Sequence, residues 1–351
     1  MTTYRQVKGY SIKSVASDPD NAKVGQVWYN STELKLKNKL TIAAAWASGG
    51  NYPDTTHGLQ GDGTQTAAFA AGGSADLDST KEYDGSSWTA GGNMGTNRYT
   101  FGANGTQTAG LAVAGFAPFP TGNQADVEEY NGSSWCEQNN LPAVTSQNTG
   151  CGTQTAALKF GGSPDAGTDE YDGTSWTAGG DMNSPRYAMA GAGTQTAALA
   201  SGGDTGSIIA NSEEYNGTSW TEGNDLNTAR KDFSGSGLQT LALVFGGNPT
   251  TGATEQYDGT SYTTTASLAT ARRLGAGAGT GSLALYSAGQ PTNSTEEFTD
   301  TTEPVRSFDV SCRIIKLYEV KKLNLLQLIL VMIKQKDKYF IVAQTINLKQ
   351  L

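Results

Sequence analysis

The chain of 351 residues contains only one histidine and three cysteines. Metal sites in proteins are usually built from clusters of these residues, and the sequence has no HxH, HExxH or CxxC pattern. Cys136, Cys151 and Cys312 are too few and too scattered for a disulfide framework, so we expect free thiols. The sequence therefore predicts neither a resident metal nor another cofactor.

Long apolar runs are also missing. The N-terminal residues MTTYRQVKGYSIKSVASD lack the apolar core of a secretory signal. The most apolar stretch, LNLLQLILVMIK, has only about eleven apolar residues, too few to span a bilayer. We therefore expect a protein made in the host cytoplasm without a signal peptide or a membrane span. This stretch belongs to a glycine-free tail, residues 312–351, that either packs on the protein or a neighbouring subunit or reflects a shifted reading frame.

Basic residues are scarce in most of the chain. Residues 1–303 contain 15 Lys and Arg against 30 Asp and Glu, whereas residues 304–351 contain 9 against 3. Binding to a phosphate backbone depends on Lys and Arg, which displace counterions from it. We therefore expect no nucleic-acid partner for the acidic body of the protein.

Glycine is abundant, with 45 residues, and it recurs within a repeat. Six anchor aromatics are each followed by a Gly after 17 residues and by another after 27 residues. The anchors are Trp46, Trp88, Trp135, Trp176, Trp220 and Tyr262. A fixed register over six copies indicates a structural repeat rather than a disordered low-complexity chain.

Each repeat predicts four short strands. In the fourth copy these are a strand from Trp176, then Tyr187–Ala192, Thr196–Ser201 and Glu213–Tyr215. An Asp-Gly or Asn-Gly pair precedes most anchors, and this pair predicts a two-residue type I′ hairpin turn. Four strands in a period of 41 to 47 residues are typical of a β-propeller. The sequence thus predicts an all-β, six-bladed propeller, with Ala and Gly on the crowded inner strands and Trp further out.

The repeat resembles the Kelch family, which belongs to the same propeller superfamily as the central domain of galactose oxidase. In that family, an apolar strand ending in Gly-Gly is followed by Tyr, Trp, an apolar residue and Arg. The Arg stands here at Arg98, Arg186, Arg230 and Arg272, whereas Thr56 and Thr145 depart from the pattern. The expected domains are an attachment segment with a β-hairpin at 1–45, the propeller at 46–303, and a region at 304–351 that begins with a possible closing strand.

A second resemblance concerns the setting of the propeller. The GTQTAALAFGG-type repeats behind VASDPDNAKVGQVWYNSTELKLK resemble virion or tail-fibre proteins of tailed bacteriophages. This implies a non-enzymatic virion module that binds a protein or cell-surface glycan receptor and joins other virion proteins through residues 1–45. A soluble intracellular Kelch scaffold is the alternative, and a sialidase-like carbohydrate-active propeller is the third.

Enzymatic readings find little support in the residues. Copper oxidases of the galactose oxidase type need two His and two Tyr, whereas this chain has only His57. The four Arg suggest a sialidase, but their recurrence at one repeat position predicts packing between blades, and the turns lack the sialidase Asp-box spacing. Neighbouring Glu, such as Glu128-Glu129, Glu213-Glu214 and Glu296-Glu297, point to opposite faces of a strand and are expected to be solvated edge charges.

The variable segment after each Gly-Gly is the expected recognition site. All six copies should emerge on one face of the propeller, where insertions in repeat proteins often form the binding surface. The candidate contacts are Phe116, Pro118 and Phe119 in the longest loop and Ile208 and Ile209 two blades on. These residues either contact a partner or fold down onto the rim of the propeller.

Overall fold

The computed structural model describes residues 13–301, apart from 34, 40, 76, 119 and 165, and the strands 305–308, 328–335 and 338–345. All regular secondary structure in these residues is β-strand, which confirms the predicted all-β class. No helix that could cross a membrane occurs in the described part of the chain.

The chain divides into two compact units, residues 1–43 with 301–351 and residues 44–300. The first unit contains a sheet in the order β1 (Lys13–Val15), β2 (Val27–Asn30), β3 (Lys35–Lys39), β30 (Val305–Phe308), and a hairpin of β31 (Leu328–Gln335) and β32 (Lys338–Thr345). The pairing of β2 with β3 matches the predicted hairpin. The segment expected to close the propeller forms β30, which pairs with β3 instead.

The second unit contains six sheets, one for each repeat; five have four strands hydrogen-bonded in series, and one has these four strands and two more. We call them repeat sheets 1 to 6. Sheet 1 is β5 (Gln60–Thr64), β6 (Ala67–Ala71), β7 (Thr80–Tyr83) and β8 (Trp88–Ala90); sheet 2 is β9 (Gly102–Thr106), β10 (Ala109–Ala117), β11 (Gly122–Tyr130) and β12 (Trp135–Glu137), extended by β13 (Thr145–Ser146) and β16 (Ser163–Pro164); sheet 3 is β14 (Thr149–Thr153), β15 (Ala156–Phe160), β17 (Thr168–Tyr171) and β18 (Trp176–Ala178).

The remaining three sheets follow the same order. Sheet 4 is β19 (Ala190–Thr194), β20 (Ala197–Ser201), β21 (Ser212–Tyr215) and β22 (Trp220–Glu222); sheet 5 is β23 (Ser234–Leu238), β24 (Leu241–Phe245), β25 (Thr254–Tyr257) and β26 (Tyr262–Thr264); sheet 6 is β27 (Ala276–Gly279), β28 (Leu283–Ser287), β29 (Thr295–Thr299) and β4 (Ala45–Ser48). In sheet 6 the first strand of the unit pairs with the last, and Trp46 lies opposite Phe298. Several four-stranded antiparallel sheets arranged in this way are those of a β-propeller.

A ring of six backbone hydrogen bonds joins the inner ends of these sheets. The residue two positions before each inner strand donates its N–H to the carbonyl of the equivalent residue of the preceding repeat, with N···O distances of 2.6–2.9 Å. The ring residues are Gly58, Thr100, Gln147, Ala188, Asp232 and Leu274. All have φ between 51° and 74°, a left-handed conformation that costs an L-residue about 1 kcal/mol or more. This break explains why the strand expected from Tyr187 begins only at Ala190.

The turn before each anchor aromatic differs from the predicted type I′ turn. Tyr83 pairs with Trp88, so the loop contains four residues, and only Gly85 among them has a positive φ. The Asp84 carboxylate accepts hydrogen bonds from the backbone N–H groups of Ser86 and Ser87, both at 2.8 Å. This side chain caps the longer loop and so replaces the tight turn.

Side chains that recur at the same position of each repeat connect neighbouring sheets. The Gln107 amide donates to the carbonyls of Ala68 at 3.2 Å and Tyr83 at 2.8 Å in the preceding sheet. Gln65, Gln154, Gln195 and Gln239 make the same pair of bonds. The Tyr130 hydroxyl likewise donates to Glu82 of the preceding sheet at 2.6 Å. These side chains fix the spacing between successive sheets.

Candidate functional site

The repeated Arg residues have a structural role that differs from the predicted one. Each forms an ion pair with a Glu of its own sheet, and both side chains are almost fully buried. The pairs are Arg98–Glu128, Arg186–Glu213 at 2.8 Å, Arg230–Glu255 at 2.6 Å and Arg272–Glu296 at 2.5 Å. In sheet 3, where Thr145 replaces the Arg, the Lys159 ammonium pairs with Asp169 at 3.3 Å instead.

Two expectations from the sequence are therefore wrong. The Arg side chains pack within a sheet rather than between blades, and Glu128, Glu213 and Glu296 are buried rather than solvated. The second Glu of such a pair points away from the first, as expected, and accepts a hydrogen bond from the next sheet; Glu214, for example, accepts one from the Tyr257 hydroxyl at 2.6 Å. Because these groups recur, are largely buried and are engaged in ion pairs or hydrogen bonds within the protein, they are not available for a ligand.

The residues that precede the ring residues differ from one sheet to the next. We call them the rim: His57, Tyr99, Ser146, Tyr187, Lys231 and Arg273. Each contacts the variable segment of its own sheet through a backbone bridge or a side-chain hydrogen bond. The variable segments of all six repeats thus lie at the same end of the ring, and the rim carries their chemical differences.

The rim is charged over sheets 4 to 6. The Lys231 ammonium lies 2.5 Å from the Asp204 carboxylate and 5.9 Å from the centre of the Tyr187 ring. The Arg273 guanidinium lies 3.8 Å from the carboxylate of the ring residue Asp232. The hydrogen bond with Lys231 lowers the pKa of Asp204, whereas burial raises the pKa of Asp232 despite its two cationic neighbours.

A cavity of about 260 Å³ lies inside the ring and is lined by the inner strands of all six sheets. The lining residues include Gln147, Asn148, Asp62 and Asp232. Asp62 accepts hydrogen bonds from the N–H groups of Gly63 at 2.7 Å and Gly105 at 2.8 Å. Burial outweighs these bonds and raises the pKa of Asp62 to about 7. No cluster of three or more metal-ligating side chains occurs in the described residues.

The residues proposed from the sequence as ligand contacts lie near the rim, but not all in loops. Phe116 belongs to strand β10 and is half-buried, with its ring 5.4 Å from that of Tyr99 at an interplanar angle of 63°. Pro118 is exposed in the following turn, and Phe119 lies outside the described residues. Ile208 and Ile209 are half-buried, and Ile208 forms a backbone bridge with Asp204. Phe116 therefore folds onto the rim rather than projecting from it.

The six anchor aromatics lie in the outermost strands, where their rings pack against a Tyr or Phe of the same sheet.

The sequence analysis predicted neither the rim nor the cavity. The position after each Arg, or after the Thr that replaces it, changes from repeat to repeat: His57, Tyr99, Ser146, Tyr187, Lys231 and Arg273. The ring position that follows it changes as much, so variability alone does not single out the rim.

Neither a protein-family model nor a curated protein matches the chain. Among solved structures, the chain is similar to the structure of YjhT, with a TM-score of 0.58 and 11% sequence identity. The match covers 74% of this chain and 99% of YjhT. At this identity the similarity shows the fold alone, and it supports a β-propeller.

The same comparison corrects one expectation. From the sequence we expected no enzymatic activity, but YjhT is a sialidase-like propeller. Since the chain shares the fold of such a protein, its architecture gives no ground for excluding catalysis, and the exclusion was wrong.

Proposed function

We propose that this protein recognises carbohydrate, with the charged part of the rim and the cavity behind it as the binding site. The asymmetry of the rim carries the proposal. Tyr187, Lys231 and Arg273 are half-buried at the mouth, and they offer an aromatic face and several hydrogen-bond donors beside the Asp232 carboxylate. A sugar has apolar C–H faces and many hydroxyls, so it suits a concave site with a few convergent polar groups.

We also propose that the propeller has six Kelch-type blades and that the protein is part of a phage virion. The six repeats, the six sheets and the ring of six hydrogen bonds support six blades of Kelch type. The resemblance to tail-fibre proteins supports a place in a phage virion, with the glycan receptor at the rim and other virion proteins at residues 1–45. Tail or baseplate genes beside this gene would support that setting, and genes of an unrelated intracellular process would favour a soluble Kelch scaffold.

The direct test is binding of the full chain to an array of bacterial surface polysaccharides. We expect retention on at least one glycan, a loss of about tenfold or more in affinity for Lys231→Ala, and a similar loss for Arg273→Ala. Exposed Lys23 lies in the first unit, so Lys23→Ala is a matched control that should bind like the wild type. An array on which the wild type binds no glycan, or on which Lys231→Ala binds normally, contradicts the proposal.

Hydrolysis of the bound glycan is a second candidate, favoured by the two carboxylates beside Lys231. Burial raises the pKa of Asp232, whereas the hydrogen bond with Lys231 lowers the pKa of Asp204. Glycosidases use two carboxyl groups whose pKa values differ in this way. Release of reducing ends from a retained polysaccharide, abolished in Asp232→Asn with binding intact, would support hydrolysis. Retention of the polysaccharide without release of reducing ends would support recognition without hydrolysis.

A further inference from the structure

The accessible cations of the second unit lie in one place. Residues 44–300 contain 8 Lys and Arg against 26 Asp and Glu, and all eight cations belong to the described residues. Side-chain exposure is at most 14% for Lys81, Arg98, Lys159, Arg186, Arg230 and Arg272. The other two, Lys231 and Arg273, are 23% and 30% exposed and occupy rim positions in neighbouring sheets. This acidic unit therefore presents its accessible positive charge at a single part of the rim.

The carboxylates that pair with these two cations lie deeper than the cations themselves. The Asp204 side chain is 8% exposed and lies 2.5 Å from the Lys231 ammonium, and the Asp232 side chain is 10% exposed and lies 3.8 Å from the Arg273 guanidinium. The ring residues that follow the two cations, Asp232 and Leu274, are joined by a backbone hydrogen bond of 2.9 Å, so the cations stand close together. The acids thus orient the cations from the protein side, while the cations face solvent.

Both cations keep hydrogen-bond donors for a ligand. A guanidinium group has five N–H donors and an ammonium group has three. Among the described residues, the Arg273 guanidinium donates one hydrogen bond, to Gln290 Oε1 at 3.0 Å, and the Lys231 ammonium donates one, to Asp204. The free edge of a guanidinium binds a carboxylate through two parallel hydrogen bonds. The Tyr187 ring, centred 5.9 Å from the ammonium, adds an aromatic surface beside these donors.

The charge around this pair selects among anionic ligands. A dense polyanion such as nucleic acid is bound by many Lys and Arg along its length, whereas here two accessible cations stand in a unit with 26 acidic residues. Charges more than ~8 Å apart are largely screened at physiological salt, so isolated carboxylates bind the pair with little repulsion from the rest of the unit. The matching ligand is a sparsely charged glycan.

We propose that the glycan recognised at the rim contains a hexuronic acid, whose carboxylate binds Arg273 and Lys231. This inference rests on the proposed function and names the chemical class of its ligand. Arg273 supplies the paired hydrogen bonds, Lys231 supplies the second positive charge, and Tyr187 contacts the sugar ring. The other rim positions contact the rest of the glycan.

The test compares sugars that differ in a single group. Galacturonate and glucuronate carry a carboxylate where galactose and glucose carry a hydroxymethyl group, and each is titrated onto the full chain and followed by saturation-transfer NMR. We expect at least one uronate to bind about tenfold or more tightly than its neutral counterpart, and its affinity to fall as the salt concentration rises. Tighter binding of galactose 6-phosphate than of either uronate would contradict the choice of a carboxylate.

Variants of the cations locate the carboxylate. In Arg273→Gln, which keeps amide donors but removes the charge, the uronate affinity should fall about tenfold or more. The double variant Lys231→Gln/Asp204→Asn removes a paired cation and anion, leaves the net charge unchanged, and should also lose uronate affinity. Lys81→Gln removes the next most exposed cation of the unit and should bind like the wild type. Melting temperatures establish that each variant folds, and the double variant decides if Arg273→Gln folds poorly.

The outcomes separate this inference from the proposed function. If the neutral sugars bind as tightly as the uronates, or if the folded rim variants keep the uronate affinity, hexuronate recognition is wrong. Lys231-dependent retention of neutral polysaccharides on the array would then leave the proposed function standing. An array without any retention contradicts both. Equal losses in Arg273→Gln and Lys81→Gln would show that the overall charge drives binding, and would also overturn the inference.

Discussion

The bodies of the six sheets and the lining of the ring follow different rules. In the bodies, the same Arg–Glu pairs, Gln amides and Tyr–Glu bonds recur from sheet to sheet. In the lining, equivalent positions change from sheet to sheet and leave unsatisfied or strained groups, such as Asn148 and the left-handed Asp232. Repetition therefore builds the scaffold, and the departures from it mark the site.

Breaking a repeated ion pair should have the largest effect. Arg230→Met leaves the Glu255 carboxylate, 2% exposed, without its cation, and an unpaired buried charge costs about 3–5 kcal/mol. We expect this loss in the free energy of unfolding measured with urea. The double variant Arg230→Met/Glu255→Leu removes both charges and should recover most of it. A single variant within about 1 kcal/mol of the wild type would show that the repeated pairs are not essential to the bodies.

Asp62 tests whether a polar group in the lining of the ring destabilises the folded protein. Burial raises its pKa from the ordinary 3.8 to about 7 in the folded protein, so the folded state holds the proton more tightly. The contribution of Asp62 to stability should therefore be most favourable below about pH 4 and fall by about 2–4 kcal/mol as the pH rises to 7. Asp62→Asn should remove this slope in pH-dependent unfolding. The exposed Asp225 gives a control, Asp225→Asn, and an unchanged slope in Asp62→Asn would refute the assignment.

The smallest expected effect on stability comes from a substitution that restores a missing Thr of the repeat. The indoles of Trp46, Trp88, Trp135 and Trp220 each donate to a Thr hydroxyl of the preceding sheet at 2.9–3.1 Å. Trp176 faces Val127 instead, and its Nε1 group has no partner among the described residues. Val127→Thr should stabilise the protein by about 1 kcal/mol, measured by urea unfolding.

A second buried valine in the same sheet serves as the control for this substitution. Val113 does not stand at the position where other sheets place the Thr that accepts from the indole, so Val113→Thr should bury a hydroxyl without this benefit and destabilise the protein. Equal effects of the two substitutions would mean that the Trp176 indole does not need an acceptor.

The sequence predicted what recurs and missed what the backbone conformation decides. The Trp-to-Gly spacing was enough for the strands and the variable segments, and the runs QVWYN and ELKLK about Ser31-Thr32 were enough for the hairpin of β2 and β3. The closing strand was missed, although Trp46 has no Tyr just before it and Phe298 has no Trp just after it, and each supplies what the other lacks. The rim was missed because it depends on left-handed residues such as Ala188 and Leu274, whose side chains give no sign of that conformation.

The pairing of β4 with β29 also sets the order in which the molecule can be completed during synthesis. Residues 45–48 leave the ribosome first, but their partners at 296–299 are made about 250 residues later. At a synthesis rate of roughly 5–20 residues per second, β4 remains unpaired for on the order of ten seconds or more before its partner strand β29 is made. Until then the nascent chain has two open edges, so the last sheet translated decides when the ring is sealed.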